Sequence, residues 1–355
     1  MLRAALRAYL RQTFKGSDAA VAAKLDEPIL ARAGRLLDPR FQWLQRRARA
    51  DKRRPQDLPV TVMRRLSDAS IQLLRGKTEP GVAETKLEIP LDGRRMSARL
   101  YRAATQDPQR PAMLYAHSGG GVTGNMDWCA QFCAIIAKTA RLPVVSIDYR
   151  LAPEHPWPAG LADMAGAYDW LLAHSAEFGA APDSVGVGGD SMGGNYAAIL
   201  CQDLRAAGRP QPAFQALVYP ATDFTAETGS MDVFSDVFPL TRDLVDWFMS
   251  HYLRRYAGGP VDRADLRLSP GKAGDLAGLA PALVATAGFD VLVDQGDDYA
   301  ERLRAAGVAV DHFRYDRLAH GFVSFGTIPR AEAALRDMAA RLDRLIADHV
   351  SRAGR

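Results

Sequence analysis

Ser184-Val-Gly-Val-Gly-Gly-Asp-Ser-Met-Gly-Gly-Asn195 is the stretch whose reading decides the fold. It begins as a short apolar run of strand length, and the chain beyond it, Gly193–Ala206, is alanine-rich and helix-forming. At the junction stands Gly189-Asp190-Ser191-Met192-Gly193, a G-x-S-x-G pattern where strand would turn into helix. So sharp a turn packs the residues two before and two after the serine against each other, and a Cβ at either place would clash. It also sets Ser191 at a helix N-terminus, where free N–H groups and the helix dipole favour developing negative charge. Glycine and serine are common in loops, so the pattern draws its weight from the elements on either side of it.

The same alternation extends outward. Ala112–Ala116, Pro143–Ile147, Ser184–Gly188, Phe214–Tyr219, Ala282–Ala287 and Val308–Phe313 are apolar runs of the length of buried strands. Helix-forming segments separate or follow them: Trp128–Thr139, Gly160–Ala173, Gly193–Ala206, Val293–Ala306 and Arg330–His349. This order predicts an α/β fold with a mostly parallel sheet covered by helices on both faces. Ahead of it, residues 84–103 read as a hairpin around Asp92-Gly93. Residues 1–80 read as helices only, with Leu2, Leu6, Tyr9, Leu10 and Phe14 at helical spacing and Ile29, Leu30, Ala33, Leu36 and Leu37 repeating it. The predicted organisation is a helical segment over 1–80 and an α/β domain over 81–355. An insertion at about 222–269 carries one strong helix near Leu240–Leu253.

Composition excludes several classes. The chain has 355 residues, 48% hydrophobic and 24% charged, proportions of a protein with a sizeable core rather than a disordered or coiled-coil chain. The longest uncharged apolar stretch, Leu276–Phe289, is too short to span a bilayer and contains glycines and a proline. Arg3, Arg7, Arg11 and Lys15 interrupt every apolar run near the start, so no secretory signal is expected and a cytoplasmic location is. Three cysteines cannot all pair within one chain, and Cys129 and Cys133 have no partners at metal-ligand spacing, so no metal and no disulfide is expected. The net charge of +4 is uneven: residues 1–60 hold 14 basic against 6 acidic side chains. The run Arg46, Arg47, Arg49, Lys52, Arg53 and Arg54 could meet nucleic acid or anionic lipid, but it comes with no recognisable nucleic-acid motif and reads as a solvated helix face.

A serine hydroxyl needs a base to become a nucleophile. The strand-turn-helix architecture orders its groups Ser, acid, His along the chain, which leaves His251, His312, His320 and His349. His320 follows the Val308–Phe313 run by a short loop and precedes Gly321; the others lie within predicted helices or a strand. The acid should close the preceding strand, and Ala282–Asp290 ends in Asp290, with Asp294 one helical turn later as the alternative. His320 would take the proton of Ser191 during attack on a carbonyl, and Asp290 would orient the imidazole and stabilise its charged form. Directly after the Ala112–Ala116 run, His117-Ser118-Gly119-Gly120-Gly121 offers bare backbone N–H groups for an oxyanion. Its spacing is neither that of a dinucleotide loop nor that of a phosphate loop with its lysine.

Taken together, the HSGGG loop, Asp148-Tyr-Arg-Leu-Ala-Pro-Glu-His155, Gly189-Asp-Ser-Met-Gly-Gly194, Asp290-Val-Leu-Val-Asp294 and His320-Gly-Phe322 resemble the hormone-sensitive-lipase-like bacterial carboxylesterases, which are α/β-hydrolases with a helical cap. The resemblance spans roughly residues 84–345. It implies a Ser191–Asp290–His320 triad, an oxyanion hole from the N–H groups of Gly119, Gly120 and Met192, and cofactor-free hydrolysis of short- to medium-chain or aryl esters. It also implies that residues 1–80 belong to a cap and that the chain forms a homodimer through a sheet edge. The Asp148–His155 motif reads as architectural. Four positions depart from the family: Ser118 for a loop glycine, Gly121 for an aromatic, Met192 for alanine and Val291 for proline. Gly121 predicts a wider space beside the loop, and Met192 a narrower one beside Ser191. The same triad serves amide, carbamate and formamide hydrolases, and a binding protein on this fold would be expected to lack a triad member.

Overall fold

A computed structural model describes residues 2–51, 57–254 and 259–353; Lys52, Arg53 and Arg54 of the basic run lie outside the described residues, as does the side chain of His349. The N-terminal region begins with α1 (Leu2–Phe14) and α2 (Asp18–Ala22). Here the structure corrects the sequence reading, because Ile29–Leu37 is not a helix. Ala31–Arg32 (β1) and Arg35–Leu36 (β2) pair antiparallel, with Ala33 and Gly34 at φ of 49° and 72°. Two successive left-handed residues are what a two-residue hairpin requires, and Gly34 supplies one of them without strain. Pro28 and Pro39 bracket the segment, and Pro39 opens α3 (Pro39–Ala50) behind Asp38, whose side chain accepts from the Arg40 N–H at 2.9 Å. Then comes α4 (Val60–Leu74).

The expected hairpin follows as β3 (Val82–Leu91) and β4 (Arg94–Ala103), turning at Gly93 with φ 68°. Further along are β5 (Ala112–Ala116), α5 (Ala130–Thr139), β6 (Val144–Ile147), α6 (Ala159–His174), β7 (Val185–Asp190), α7 (Met192–Ala206) and β8 (Gln215–Val218). Between β8 and β9 lie α8 (Gly229–Val233) and α9 (Arg242–Tyr252), and β9 (Ala282–Phe289) is followed by α10 (Val293–Ala305), β10 (Val310–Ala319) and α11 (Pro329–Ala353). The main sheet runs β10-β9-β8-β7-β5-β6-β4-β3, parallel from β10 to β6, with β4 and β3 antiparallel at one edge. Every residue of β5 to β9 is buried, the signature of strands covered on both faces.

Ion pairs fasten the N-terminal region to this sheet. Asp38 is fully buried and meets Arg40 and Arg330, while Asp18 meets Arg40, Arg317 and Arg330 at 2.7–2.8 Å. Arg317 is on β10 and Arg330 on α11, so both elements flanking His320 are tied to the first 40 residues. The exposed cations of the basic run are engaged as well: Arg46 pairs with Asp26, Arg49 with Asp236, and Arg47 lies 4.8 Å over the Trp43 ring. Cys129, Cys133 and Cys201 are buried free thiols. Among the described residues, no helix is long and apolar enough to cross a membrane.

Candidate active site

The turn after β7 has the predicted shape. Ser191 holds φ 56° and ψ −115°, a strained conformation that costs about 1–3 kcal/mol and persists because the surroundings fix it. Its N–H donates to the Val218 carbonyl of β8 at 2.9 Å, and its own carbonyl accepts from Asn195 at 3.0 Å. A Cβ at Gly189 would overlap the backbone of Gly193, and one at Gly193 would overlap the carbonyl of Ala116. Both glycines are therefore demanded by close backbone approach.

Asp290 directly follows β9 and His320 directly follows β10. The latter strand is longer than its apolar core suggested, reaching Ala319 after an irregularity between Tyr315 and Ala319. The parallel sheet therefore delivers Ser191, Asp290 and His320 to one edge, at the carboxyl ends of three strands, where open α/β sheets bind ligands. His320 Nε2 is 3.0 Å from Ser191 Oγ, and His320 Nδ1 is 2.6 Å from Asp290 Oδ2. With Nδ1–H donating to the carboxylate, Nε2 is left to accept the serine hydroxyl. The other Asp290 oxygen accepts from the Leu292 N–H at 2.9 Å, which locks the carboxylate in place. All three side chains are buried, with Ser191 and His320 each 7% exposed.

The alternatives do other work. Asp294 Oδ2 accepts from the Ser230 N–H at 2.8 Å and holds α8. His312 meets Asp297 at 2.9 Å, and His251 Nδ1 is 2.9 Å from the Trp247 carbonyl within α9.

The loop after β5 carries Gly119, Gly120 and Gly121 at φ of 123°, 63° and 70°. Ser118 is not among the residues of positive φ, so the backbone accommodates its Cβ there. Met192 is the first residue of α7, so its N–H has no acceptor within the helix; its side chain is buried in the core. The expectation of open space at Gly121 is overturned. A Cβ there would sit 2.6 Å from the Tyr252 ring, which reaches in from α9. The aromatic missing from the loop is thus supplied by α9.

The Asp148–His155 motif holds this loop as expected. Tyr149 stacks on His117 at 4.3 Å and donates to its carbonyl at 2.8 Å, and Ala152 N–H donates to Gly121 O at 2.8 Å. From α4, Arg64 donates to the carbonyls of Val122 and Ala152 and pairs with Glu154. His117 Nδ1 lies 2.7 Å from the Ser118 carbonyl; burial pushes this imidazole down to about 4.

Sequence reasoning missed Asp190 and Tyr219. Asp190 is fully buried beside Ser191 and accepts from Tyr115 at 3.1 Å and Tyr219 at 3.0 Å. Burial raises its pKa, opposed by hydrogen bonds from Ser118, Tyr219 and Tyr115. Tyr219 also accepts from the Val323 N–H at 3.2 Å, and its ring lies 4.7 Å from that of His320. The only sequence signal was a carboxylate in an otherwise apolar strand end. Among the described residues, no group of three or more His, Cys, Asp or Glu side chains is arranged to hold a metal ion.

Comparison with known proteins gives the family. The family described as alpha/beta hydrolase fold matches residues 113–324. The carboxylic ester hydrolase LipN of Mycobacterium tuberculosis is 46% identical over 255 residues, covering 70% of this chain and 67% of the relative. The ethyl acetate hydrolase of Pseudomonas putida is 34% identical over 75% of this chain and 83% of its own length. Among solved structures, an ester hydrolase from the Lake Arreo metagenome, bound to a bipyridine phosphonate derivative, superposes with a TM-score of 0.80. It is 35% identical and covers 86% of this chain and 96% of that one. The chain belongs to the alpha/beta hydrolase fold family, in its hormone-sensitive-lipase-like carboxylesterase branch.

Proposed function

We propose that Ser191, His320 and Asp290 act as nucleophile, general base and orienting acid in the hydrolysis of short- to medium-chain or aryl carboxylic esters. The protein is a carboxylic ester hydrolase, as relatives named for that activity support. The observation that carries the assignment of roles is the continuous relay from Ser191 Oγ through His320 to Asp290, at 3.0 and 2.6 Å. As Oγ bonds to the ester carbonyl carbon, His320 Nε2 takes its proton and the N–H groups of Gly119, Gly120 and Met192 receive the oxyanion. Collapse breaks the bond to the alkoxy oxygen, which leaves as the alcohol with the proton from His320. Water, deprotonated by His320, then attacks the acyl-serine and releases the acid. Asp290 faces the imidazolium formed in each half-reaction.

Residues 1–80 and 222–269 act as the cap over this edge, a reading supported by the Arg64 bonds to the oxyanion loop and by the rings of α9 against it. The three buried thiols fit a reducing cytoplasm, and a homodimer would form at an outer strand of the sheet such as β3. The test is a panel of p-nitrophenyl esters of rising chain length. Ser191→Ala abolishes turnover, while Asp290→Asn lowers kcat by about 10⁴-fold. Turnover that survives Ser191→Ala would overturn the nucleophile.

A further inference from the structure

The glycine loop that receives the oxyanion is pressed from outside by two rings that belong to the inserted segment. A Cβ on Gly120 would overlap Phe248, whose Cβ and ring carbons crowd that Cα, and one on Gly121 would lie 2.6–2.7 Å from Tyr252 ring carbons. Phe248 and Tyr252 are four residues apart on α9 and so share one face. Tyr196 reaches the same place, its hydroxyl 3.2 Å from a Cβ placed on Gly121, and Tyr149 stands edge-on to Tyr196 at 5.2 Å.

The placing of α9 is itself firm. Thr241 caps its N-terminus, accepting from Leu244 N–H at 3.2 Å. The Tyr252 carbonyl at its other end accepts from Trp157 N–H at 2.9 Å, and Trp157 Nε1 donates to Arg267 O at 3.1 Å. Tyr252 is 2% exposed, whereas Phe248 is only half-buried.

Gly120 and Gly121 occupy left-handed φ and carry no side chains, so beyond backbone bonds such as that from Ala152 N–H to the Gly121 carbonyl, these positions are restrained by what packs on them. We infer that Phe248 and Tyr252 are positioning residues that hold the N–H groups of Gly119 and Gly120 where the oxyanion forms, so that the inserted segment sets the rate of the chemical step as well as the shape of the substrate space. This rests on the ester-hydrolase reading above. The chemical logic is that an oxyanion donor gains its effect from being fixed before the charge develops. A loop released from its outer rings must be reordered in each transition state.

The experiment measures p-nitrophenyl acetate hydrolysis and hydrogen–deuterium exchange for the native protein, Phe248→Ala, Tyr252→Ala, Phe248→Leu and Tyr252→Phe, with Ser191→Ala as the control on the reaction itself. Acetate is small enough not to read the outer walls of the substrate space. For the two alanine variants kcat falls roughly 10- to 100-fold, below the full 10²–10³-fold loss of a donor, with KM within about twofold. Exchange in the peptide spanning 117–124 speeds up while that in β7 and β9 does not. Tyr252→Phe keeps its ring and stays within about twofold of native kcat, and Phe248→Leu, the gentler change should the alanine variant not fold, falls between. The proposal is overturned if acetate kcat stays native in the alanine variants with only the chain-length preference shifted, or if exchange over 117–124 is unchanged. A native protein without Ser191-dependent turnover would sink the functional reading instead, and exchange would still decide the clamp.

Discussion

His117→Asn should flatten the acid side of the stability profile, and the size of the effect follows from the burial of one ring. Nδ1–H of His117 donates to the Ser118 carbonyl, so the lone pair is on Nε2, and among the described residues that atom is buried without a hydrogen-bond partner. A proton placed there would meet no acceptor among the described residues and would put a charge in a buried site, which is why burial takes the group from an ordinary 6.5 down to about 4. The folded-state value is the depressed one. Stability from the neutral ring is therefore complete above pH 6.5 and is lost as the pH falls toward 4, because the unfolded chain takes up a proton that the folded chain refuses. At 1.36 kcal/mol per unit, the loss is about 2 kcal/mol at pH 5 and about 3 kcal/mol at pH 4. Asn keeps a donor beside the Ser118 carbonyl and has nothing to titrate. Asp190, raised by burial, works in the opposite direction and is common to both proteins, so it cancels in the difference. Urea unfolding of native protein and variant at pH 7 and pH 5 should show native stability falling about 2 kcal/mol further than that of His117→Asn. Equal falls in both would refute the reasoning that this imidazole is held neutral.

Asp38→Ala strips the buried carboxylate from Arg40, whose side chain is 4% exposed, and leaves Arg40 with Asp18 and the carbonyls of Phe14 and Gly16. A loss of about 3 kcal/mol of unfolding free energy, read from a lower denaturant midpoint at unchanged m, is expected, as for other broken buried pairs; a loss under about 1 kcal/mol would mean that water reaches the site. Gly121→Phe drives a side chain onto the Tyr252 ring from a backbone of φ 70°. It should cut p-nitrophenyl acetate turnover more than tenfold and lower the melting temperature, with Tyr252→Ala in the same chain recovering part of both. Native-like behaviour of the single variant would show that the loop has room after all.

The sheet and its sequence of strands were legible because each strand is a short run buried on both faces, closed by glycine or a polar turn, and because connections between parallel strands are restricted. Ser191, Asp290 and His320 were legible for the same reason: each closes a strand. What escaped has a common cause. Ala33-Gly34 makes a hairpin where the spacing of Ile29, Leu30 and Leu37 matched a helix, since spacing alone does not register two left-handed residues. Tyr252 fills the space beside Gly121 from 131 positions away, and Tyr219 meets Asp190 and His320 only once β8 lies between β7 and β9. Contacts of that kind depend on how elements dock, and no local pattern records them.

The bond of Asp18 and Asp38 to Arg317 and Arg330 has a bearing on how such an enzyme can diversify. Those arginines bracket His320, the proposed general base, so the first 40 residues are fastened to the part of the site that tolerates least displacement, and a hinge there would shift His320 itself. Freedom to reshape substrate access lies instead in the segment between β8 and β9, at positions other than Phe248 and Tyr252, where a change of side chain leaves those ion pairs and the glycine loop in place. Variants selected for new esters should accumulate their substitutions there and leave the arginine-bracketed side as inherited.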